Sequence, residues 1–285
     1  MILVVDSGST KTDWIALDNE GEEIFSTQTL GLNPQMLSNE ILNERIKNNF
    51  DIYKNRKLVN KLFFYGAGCG VKDSQNRILK VFKSIFINSE FDIKEDTYAA
   101  VYSAVDEGIP SIVNIIGTGS NCSYYDGKNV IQKVQSLGYV LMDYASGNYY
   151  GKYLIRAYYF NKMPESLRDK FSNNYDLSPN SIKIKLYREE NPNTYLAGFA
   201  RFLIENKSNE YFKEIIFKGL ERFIDYQILQ YDDFSKVDVH YVGSIGYYLK
   251  DEITKIGKKY NLKTGKFIQR PINGLVDYHK RIILK

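Results

Sequence analysis

Ile2-Leu3-Val4-Val5-Asp6-Ser7-Gly8-Ser9-Thr10-Lys11-Thr12-Asp13-Trp14 opens the chain with an apolar run of strand length, a carboxylate, a turn of small polar residues and a second strand. This is the layout of a β-hairpin whose turn can hold a phosphate. Glycine and hydroxyl residues offer backbone N–H and side-chain O–H groups without a Cβ that would keep the ligand away. The same arrangement recurs far downstream, where Ile112-Val113-Asn114-Ile115-Ile116 runs into Gly117-Thr118-Gly119-Ser120-Asn121 and on into the strand-like Cys122-Ser123-Tyr124-Tyr125. Neither turn ends in Gly-Lys-Ser/Thr or leads directly into a helix, so neither is a P-loop or a Rossmann turn. Either one alone is as compatible with an ordinary hairpin as with a phosphate grip. Two in matched contexts point to a pair that holds one nucleotide.

Working outward, the pattern predicts strands at Ile2 to Asp6, Thr12 to Leu17 and Glu23 to Leu30, a helix over Leu37 to Phe50, and a strand from Leu58 to Tyr65 that ends at Gly66-Ala67-Gly68. A helix over Gln75 to Phe86, a short strand Phe91 to Lys94 and a helix from about Asp96 complete the first half. The second half repeats the theme with strands over 111–117 and 121–125 and a third near Val130 to Val134. It then turns helical from Gly147 to about Gln230, with a polar interruption near Ser172 to Pro179. Val237 to Val242 returns to strand, Gly243-Ser244-Ile245 reads as a turn, Tyr247 to Tyr260 as a helix, Thr264 to Gln269 as a strand, and Pro271 starts the last helix. Each half begins with a three-strand meander followed by helices, which implies an α/β protein of two lobes with mixed sheets and a cleft between them. The expected lobes are 1–110 and 111–285, with a hinge near Glu107 to Pro110 and the last helix able to pack back on the first lobe.

Bulk properties exclude several classes. A chain of 285 residues with 44% hydrophobic and 25% charged residues can bury a large core. No stretch has the apolar length of a bilayer span, and Met1 leads straight into a strand with no signal-peptide pattern, so a cytoplasmic location and no membrane partner are expected. The net charge of +4 comes from 38 basic and 34 acidic residues spread along the whole chain, which argues against a nucleic-acid partner. Cys69 and Cys122 are isolated from each other and from both histidines, which removes zinc-finger, ferredoxin and disulfide frameworks.

The candidate chemistry lies at the ends of predicted elements. Gly8, Ser9 and Thr10, and Gly117, Thr118, Gly119 and Ser120, qualify as phosphate turns, with Lys11 as a cation able to offset charge on a transferred phosphoryl group. Asp6 can orient Mg²⁺ through water, or simply accept turn hydrogen bonds. Asp96 reads either as a helix N-cap or as the general base that takes the proton from an attacking sugar hydroxyl. Asn33, in Gly31-Leu32-Asn33-Pro34, and Asp143, in Leu141 to Gly147, are polar residues within apolar or glycine-bearing turns and are candidates for ligand hydroxyls.

In order along almost the whole chain, Asp6 to Thr12, Gly31 to Pro34, Asp96-Thr97-Tyr98-Ala99-Ala100, Gly117 to Asn121, Ser136 to Tyr139, Val242-Gly243-Ser244 and Pro271 to Leu275 resemble the N-acetylglucosamine kinases and their relatives the benzoyl-CoA reductase activator ATPases. Both belong to the superfamily of actin, sugar kinases and heat-shock ATPases. The resemblance implies the two-lobed actin-like (ribonuclease H-like) ATPase fold, ATP with Mg²⁺ as cofactors, and a homodimer. It implies phosphorylation of an amino sugar, N-acetylglucosamine first, on its 6-hydroxyl, with an ATPase activator or a non-catalytic sensor as alternatives. It further implies that the Gly8 and Gly117 turns are the phosphate motifs, Gly243 and Ser244 the adenosine motif and Asp96 the base. Asn33, Asn121 and Asp143 are then amino-sugar contacts, and Gly66, Ala67 and Gly68 a backbone wall of the sugar pocket. One segment departs from the pattern: relatives carry Gly-Asp-Glu-Gly-Ser where this chain has Met142-Asp143-Tyr144-Ala145-Ser146. Methionine and alanine are expected there to add bulk and to remove access to positive φ.

Overall fold

The computed structural model describes residues 1–283. The chain forms two compact units, the first from Met1–Glu107 together with the chain from Arg270, the second Gly108–Gln269. The boundary read from the sequence was 110, with the last helix free to return to the first lobe.

The first unit contains β1 (Ile2–Ser7), β2 (Lys11–Leu17), β3 (Glu23–Leu30), α1 (Asn39–Lys47), α2 (Phe50–Asn55), β4 (Lys61–Gly66), α3 (Lys72–Ile85), β5 (Glu90–Glu95) and α4 (Asp96–Ala104). The second contains β6 (Ser111–Ile116), β7 (Ser120–Tyr125), β8 (Val130–Ile131), α5 (Gly147–Tyr159), α6 (Glu165–Asn174), α7 (Pro179–Tyr187), α8 (Pro192–Gly198), α9 (Ala200–Glu205) and α10 (Glu210–Tyr226). It continues with β9 (Asp238–Val242), α11 (Ser244–Tyr248), α12 (Lys250–Lys259) and β10 (Lys263–Ile268), after which α13 (Ile272–Ile283) belongs to the first unit.

Each unit is built on a five-stranded mixed sheet, and the two sheets share one topology. The orders are β3-β2-β1-β4-β5 and, read from the same side, β8-β7-β6-β9-β10. In each, the first three strands form an antiparallel meander and the last two run parallel to the first. The central strands β1 and β6 are apolar on both faces, with Leu3, Val4, Val5, Ile112, Val113 and Ile116 all buried, because helices cover both sides of a sheet that has parallel crossovers.

The helices place apolar residues one or two turns apart. In α10 the buried set is Phe212, Ile215, Ile216, Gly219, Leu220, Phe223 and Ile224, and in α13 it is Ile272, Leu275, Val276 and His279, both stripes of helical period. Ile272, Leu275 and Val276 pack with Val4, Ile15, Leu17, Phe63, Tyr65 and Ala99, so α13 covers one face of the first sheet beside α4. The other face is filled by Trp14, Leu42, Ile46, Phe64, Ile78 and Phe82 from β2, β4, α1 and α3.

Several predicted boundaries move for local reasons. The helix expected over Leu37 to Phe50 is two helices, each starting on a side-chain cap: Ser38 accepts from the Ile41 N–H and Asn49 from the Ile52 N–H. The third strand of the second meander is only Val130–Ile131. Gly243 is not followed by a turn: Ser244 is the first residue of α11, and the stretch expected as a single helix from Tyr247 breaks at Leu249. Asp96 is the first residue of α4 and not its cap; Glu95 occupies the cap position without a side-chain cap bond.

Candidate active site

In the first unit the turn at Gly8 closes with Gly8 N–H donating to Lys11 O at 3.0 Å, and its strands are tied by the buried Ser7 and Thr12 hydroxyls, 2.8 Å apart. Thr12 Oγ1 also donates to Leu30 O and Ser7 Oγ accepts from the Leu32 N–H, so the segment over 30–32 lies against the turn. Gly31 allows this approach: a Cβ on it would stand 2.4 Å from Ser9 O and 2.5 Å from Gly8 O. From there the chain leads to Asn33, whose side chain accepts from the Gln35 N–H and would lie 2.2 Å from a Cβ on Gly68. Asn33 and the Gly66-Ala67-Gly68 segment are therefore neighbours, and the Ala67 N–H donates to Ser7 O at the end of β1.

Carboxylates crowd this end of the sheet. Asp6 and Asp13 are register partners across the β1–β2 ladder. Burial pushes the Asp6 carboxyl up to about 7, with Asp13 adding to the rise and Lys11 and Arg270 opposing it. Asp13 is buried and receives three donors: Lys11 Nζ at 3.4 Å, Gln28 Nε2 at 2.6 Å and the Arg270 guanidinium. Asp96, one residue beyond the end of β5, is raised to about 8, first by burial, then by Glu95 and Asp6, against the Thr97 N–H and its own. Cys69 lies close enough to Asp96 and Glu95 for these carboxylates to add to the burial that pushes its thiol up to about 12. A cavity of about 360 Å³ lined in part by Asp13, Gln28, Arg270 and Asn273 contains none of the turn residues.

In the second unit the turn at Gly117 to Ser120 is backed differently. Gly117 N–H donates to Gly119 O, while Gly117 O and Thr118 O accept from the Gly147 and Asn148 N–H groups at the start of α5, at 2.8 and 3.0 Å. Gly243, with φ +114, lies against the end of β6, and a Cβ on it would stand 2.6 Å from Ile116 O. This brings Gly243 and Ser244 beside the turn. Asp143 is there as well: it is buried, its Oδ2 would lie 2.7 Å from a Cβ on Gly119, and burial raises its carboxyl despite hydrogen bonds from Asn148 and the Ser120 N–H. Asn121 lies within β7, its Oδ1 accepting from the Cys122 N–H. The altered segment does not lose its left-handed backbone: Asp143 and Ala145 hold φ of 66° and 61° without glycine. The expectation that alanine removes positive φ there is corrected, the surrounding hydrogen bonds overriding the local preference.

The expected residues thus fall into two clusters. Asp6, Gly8 to Lys11, Asn33, Gly66 to Gly68 and Asp96 share the first unit; Gly117 to Asn121, Asp143, Gly243 and Ser244 share the second. Sequence reasoning missed Asp13 and Asn148. The first was legible, since Lys11 and Asp13 lie two apart on one strand and share a face. Asn148 carries no local signal, because its partners lie 30 residues back and 5 residues back along the chain.

Among the described residues no three of His, Cys, Asp or Glu are grouped as a metal cage, and no helix is long and apolar enough to cross a membrane. No family model matches the chain and no curated protein does. Solved structures do. A candidate N-acetylglucosamine kinase of Porphyromonas gingivalis is 28% identical with a TM-score of 0.90 over 99% of either chain. A second candidate N-acetylglucosamine kinase, from Chromobacterium violaceum, is 15% identical with a TM-score of 0.70 over 97% of this chain and 98% of its own. A ROK family glucokinase of Streptomyces griseus, solved with glucose and AMPPNP, is 14% identical with a TM-score of 0.56 over 96% and 98%. The fold is the actin-like ATPase fold of the sugar kinases.

Proposed function

We propose that the protein is an ATP-dependent kinase that phosphorylates an amino sugar, N-acetylglucosamine first, on its 6-hydroxyl. The observation that carries this reading is the grouping in one unit of a glycine turn, Asp6 beside it and the Asp96 carboxyl raised to about 8. A base with that affinity for a proton works near neutral pH, where it is partly ionised yet basic enough to accept the hydroxyl proton. The glycines of the turns support the same reading. A Cβ on Gly117 would meet nothing within 4 Å, and one on Gly8 nothing nearer than 3.7 Å, so the protein's own packing does not require glycine at either place. Bare backbone facing open space suits a bound phosphate. The 28% identity to the Porphyromonas gingivalis protein supports the choice of amino sugar.

In the first unit the reading assigns Gly8 to Lys11 to phosphate binding; in the second it assigns Gly117 to Ser120 to phosphate and Gly243 and Ser244 to adenosine. Asn33 and Gly66 to Gly68 in the first unit, and Asn121 and Asp143 in the second, are the residues the reading assigns to the acceptor sugar. The sugar oxygen forms a bond to the γ-phosphorus as the bond from phosphorus to the β–γ bridging oxygen breaks, and the hydroxyl proton passes to Asp96. ADP leaves. Asp6 fits Mg²⁺, because burial and the facing Asp13 raise its carboxyl to about 7, a rise that a bound cation would relieve, and Mg²⁺ usually takes only one or two protein carboxylates with phosphates and water. Bound there, the ion would neutralise charge developing on the β- and γ-phosphate oxygens.

The test is ADP release measured with N-acetylglucosamine, N-acetylmannosamine, N-acetylmuramic acid, glucosamine and glucose. Release that depends on an amino sugar is expected. Sugar-independent release would replace the kinase with an ATPase activator, although Cys69 and Cys122 are buried inside the two cores and neither reaches the surface to hold a cluster between subunits. ATP binding with no release would make it a sensor.

A further inference from the structure

The second turn is held by a side chain that no step of the proposed transfer uses. Asn148, the second residue of α5, is fully buried. Its Nδ2 donates to Thr118 O at 2.7 Å and to Asp143 Oδ2 at 2.8 Å, and its backbone N–H donates to the same Thr118 O at 3.0 Å. With acceptors on both sides the amide has one orientation, since turning it over would set its oxygen against two others. The Asp143 carboxyl accepts the Ser120 N–H, and Ser120 Oγ donates to Tyr144 O at 2.8 Å. Two residues of this segment, Asp143 and Ala145, are held in the left-handed region, where backbone strain is characteristic of functional sites.

The geometry has a consequence for the amides of the turn. A trans peptide points its C=O and the following N–H in opposite directions. Drawing Gly117 O and Thr118 O into the start of α5 therefore turns the Thr118 and Gly119 N–H groups the other way, and it removes two carbonyl oxygens from the side where a phosphate would meet them. Backbone N–H groups could hold Gly117 O and Thr118 O alone. Asn148 adds the second donor to Thr118 O and at the same time fixes Asp143, which fixes Ser120.

We propose that Asn148 is a positioning residue for the phosphate turn at Gly117, acting through Thr118 and Asp143 as one latch. This rests on the kinase reading above. Asn148 aims the amides of the turn, so its loss weakens ATP far more than the acceptor sugar.

The test compares the parent with Asn148→Ala, Asn148→Ser, Asn148→Asp, Asp143→Asn and the double variant Asp143→Asn/Asn148→Ala. Calorimetry with ATP and Mg²⁺ is read beside the KM values for ATP and for N-acetylglucosamine, with thermal melting as the check on folding. Asn148→Ala is expected to raise the ATP Kd and KM about tenfold while the sugar KM stays within about twofold. Asn148→Ser, which keeps one donor, falls between it and the parent. Asn148→Asp is worse than Ala because it sets a carboxylate against Thr118 O and Asp143. The double variant is no weaker than the weaker single, as expected of residues acting as a unit. A folded Asn148→Ala or Asn148→Ser protein with parental ATP affinity overturns the proposal, and so does a raised sugar KM with ATP binding intact. Should Asn148→Ala not fold, Asn148→Ser alone decides. A parent that binds no ATP overturns the kinase reading and this proposal with it, whereas a parent that binds ATP alongside unaffected variants overturns this proposal only.

Discussion

The two glycine turns sit at the same place in the same topology, between the first and second strands of each sheet, and each is backed by a glycine that lets backbone come close: Gly31 against Ser9 O, Gly243 against Ile116 O. Everything else about them differs. The first is surrounded by ionisable groups, Asp6, Lys11, Asp13, Arg270 and Asp96, two of which have carboxyls raised toward or past neutrality. The second is held by neutral dipoles, the start of α5 and the Asn148 amide, around one buried carboxyl. One topology used twice is thus surrounded by two kinds of groups, which the proposed kinase would use for two tasks. Groups that gain and lose protons suit bond making, and fixed dipoles suit holding a charged ligand still.

The largest effect should come from the charged side. Asp96→Asn keeps the shape and removes the proposed base, so on the kinase reading phosphoryl transfer should fall on the order of a hundred- to ten-thousandfold while ATP still binds; turnover near the parental rate would break the division of tasks. Next come the two backing glycines. Gly31→Ala and Gly243→Ala each force a Cβ onto a backbone oxygen, at 2.4 and 2.6 Å, and should each lower stability by roughly 3 kcal/mol in chemical denaturation. A harmless Gly243→Ala would remove the parallel between the turns.

Acid should act on the first unit through His279. Its Nε2 lies 2.9 Å from the Tyr65 hydroxyl inside that unit, and burial lowers its pKa from 6.5 to about 4. The unfolded chain therefore binds the proton more readily, and the stability held above pH 6.5 is lost as pH falls toward 4. Asp6 and Asp96, with carboxyls raised to about 7 and 8, act in the opposite sense and favour the folded state on the acid side. The difference between parent and His279→Gln isolates the histidine: the variant should lose on the order of 2 kcal/mol of acid sensitivity over that window, and identical pH profiles would rule the assignment out. The smallest change is Gly117→Ala. A methyl there meets no protein atom within 4 Å, so melting should shift little while ATP affinity falls about tenfold. An unchanged affinity would mean that no phosphate approaches the second turn.

Much of this was legible in the sequence because hairpin turns, apolar strands and the order of motifs are local or regular signals. Asp6 to Thr12 and Gly117 to Asn121 announce themselves by composition and by the runs before them, whereas Gly243-Ser244 is singled out by the family resemblance alone. What escaped depends on partners brought together by folding. Nothing near Asn148 predicts that its amide reaches Thr118 and Asp143, and nothing in Ala145 says that it keeps a backbone angle usually left to glycine. Asp96 reads as cap or base in the sequence because both uses favour a carboxylate at a strand-to-helix junction; its place as the first residue of α4, with Glu95 at the cap position, and its burial beside Asp6 and Glu95 are tertiary facts.

The place of α13 has a bearing on how the molecule comes into being. On the ribosome the second unit, Gly108–Gln269, is one unbroken stretch, whereas the first needs the helix Ile272–Ile283, which is made only after the whole of the second. Until then the face of the first sheet formed by Val4, Ile15, Leu17, Phe63 and Tyr65 has α4 but lacks the rest of its cover. The part made first is finished last. Apolar surface left open for that interval is the kind that nascent chains aggregate through and that chaperones attend to, so a stop codon shortly before residue 272 should yield an intact second unit joined to a sticky, half-built first one.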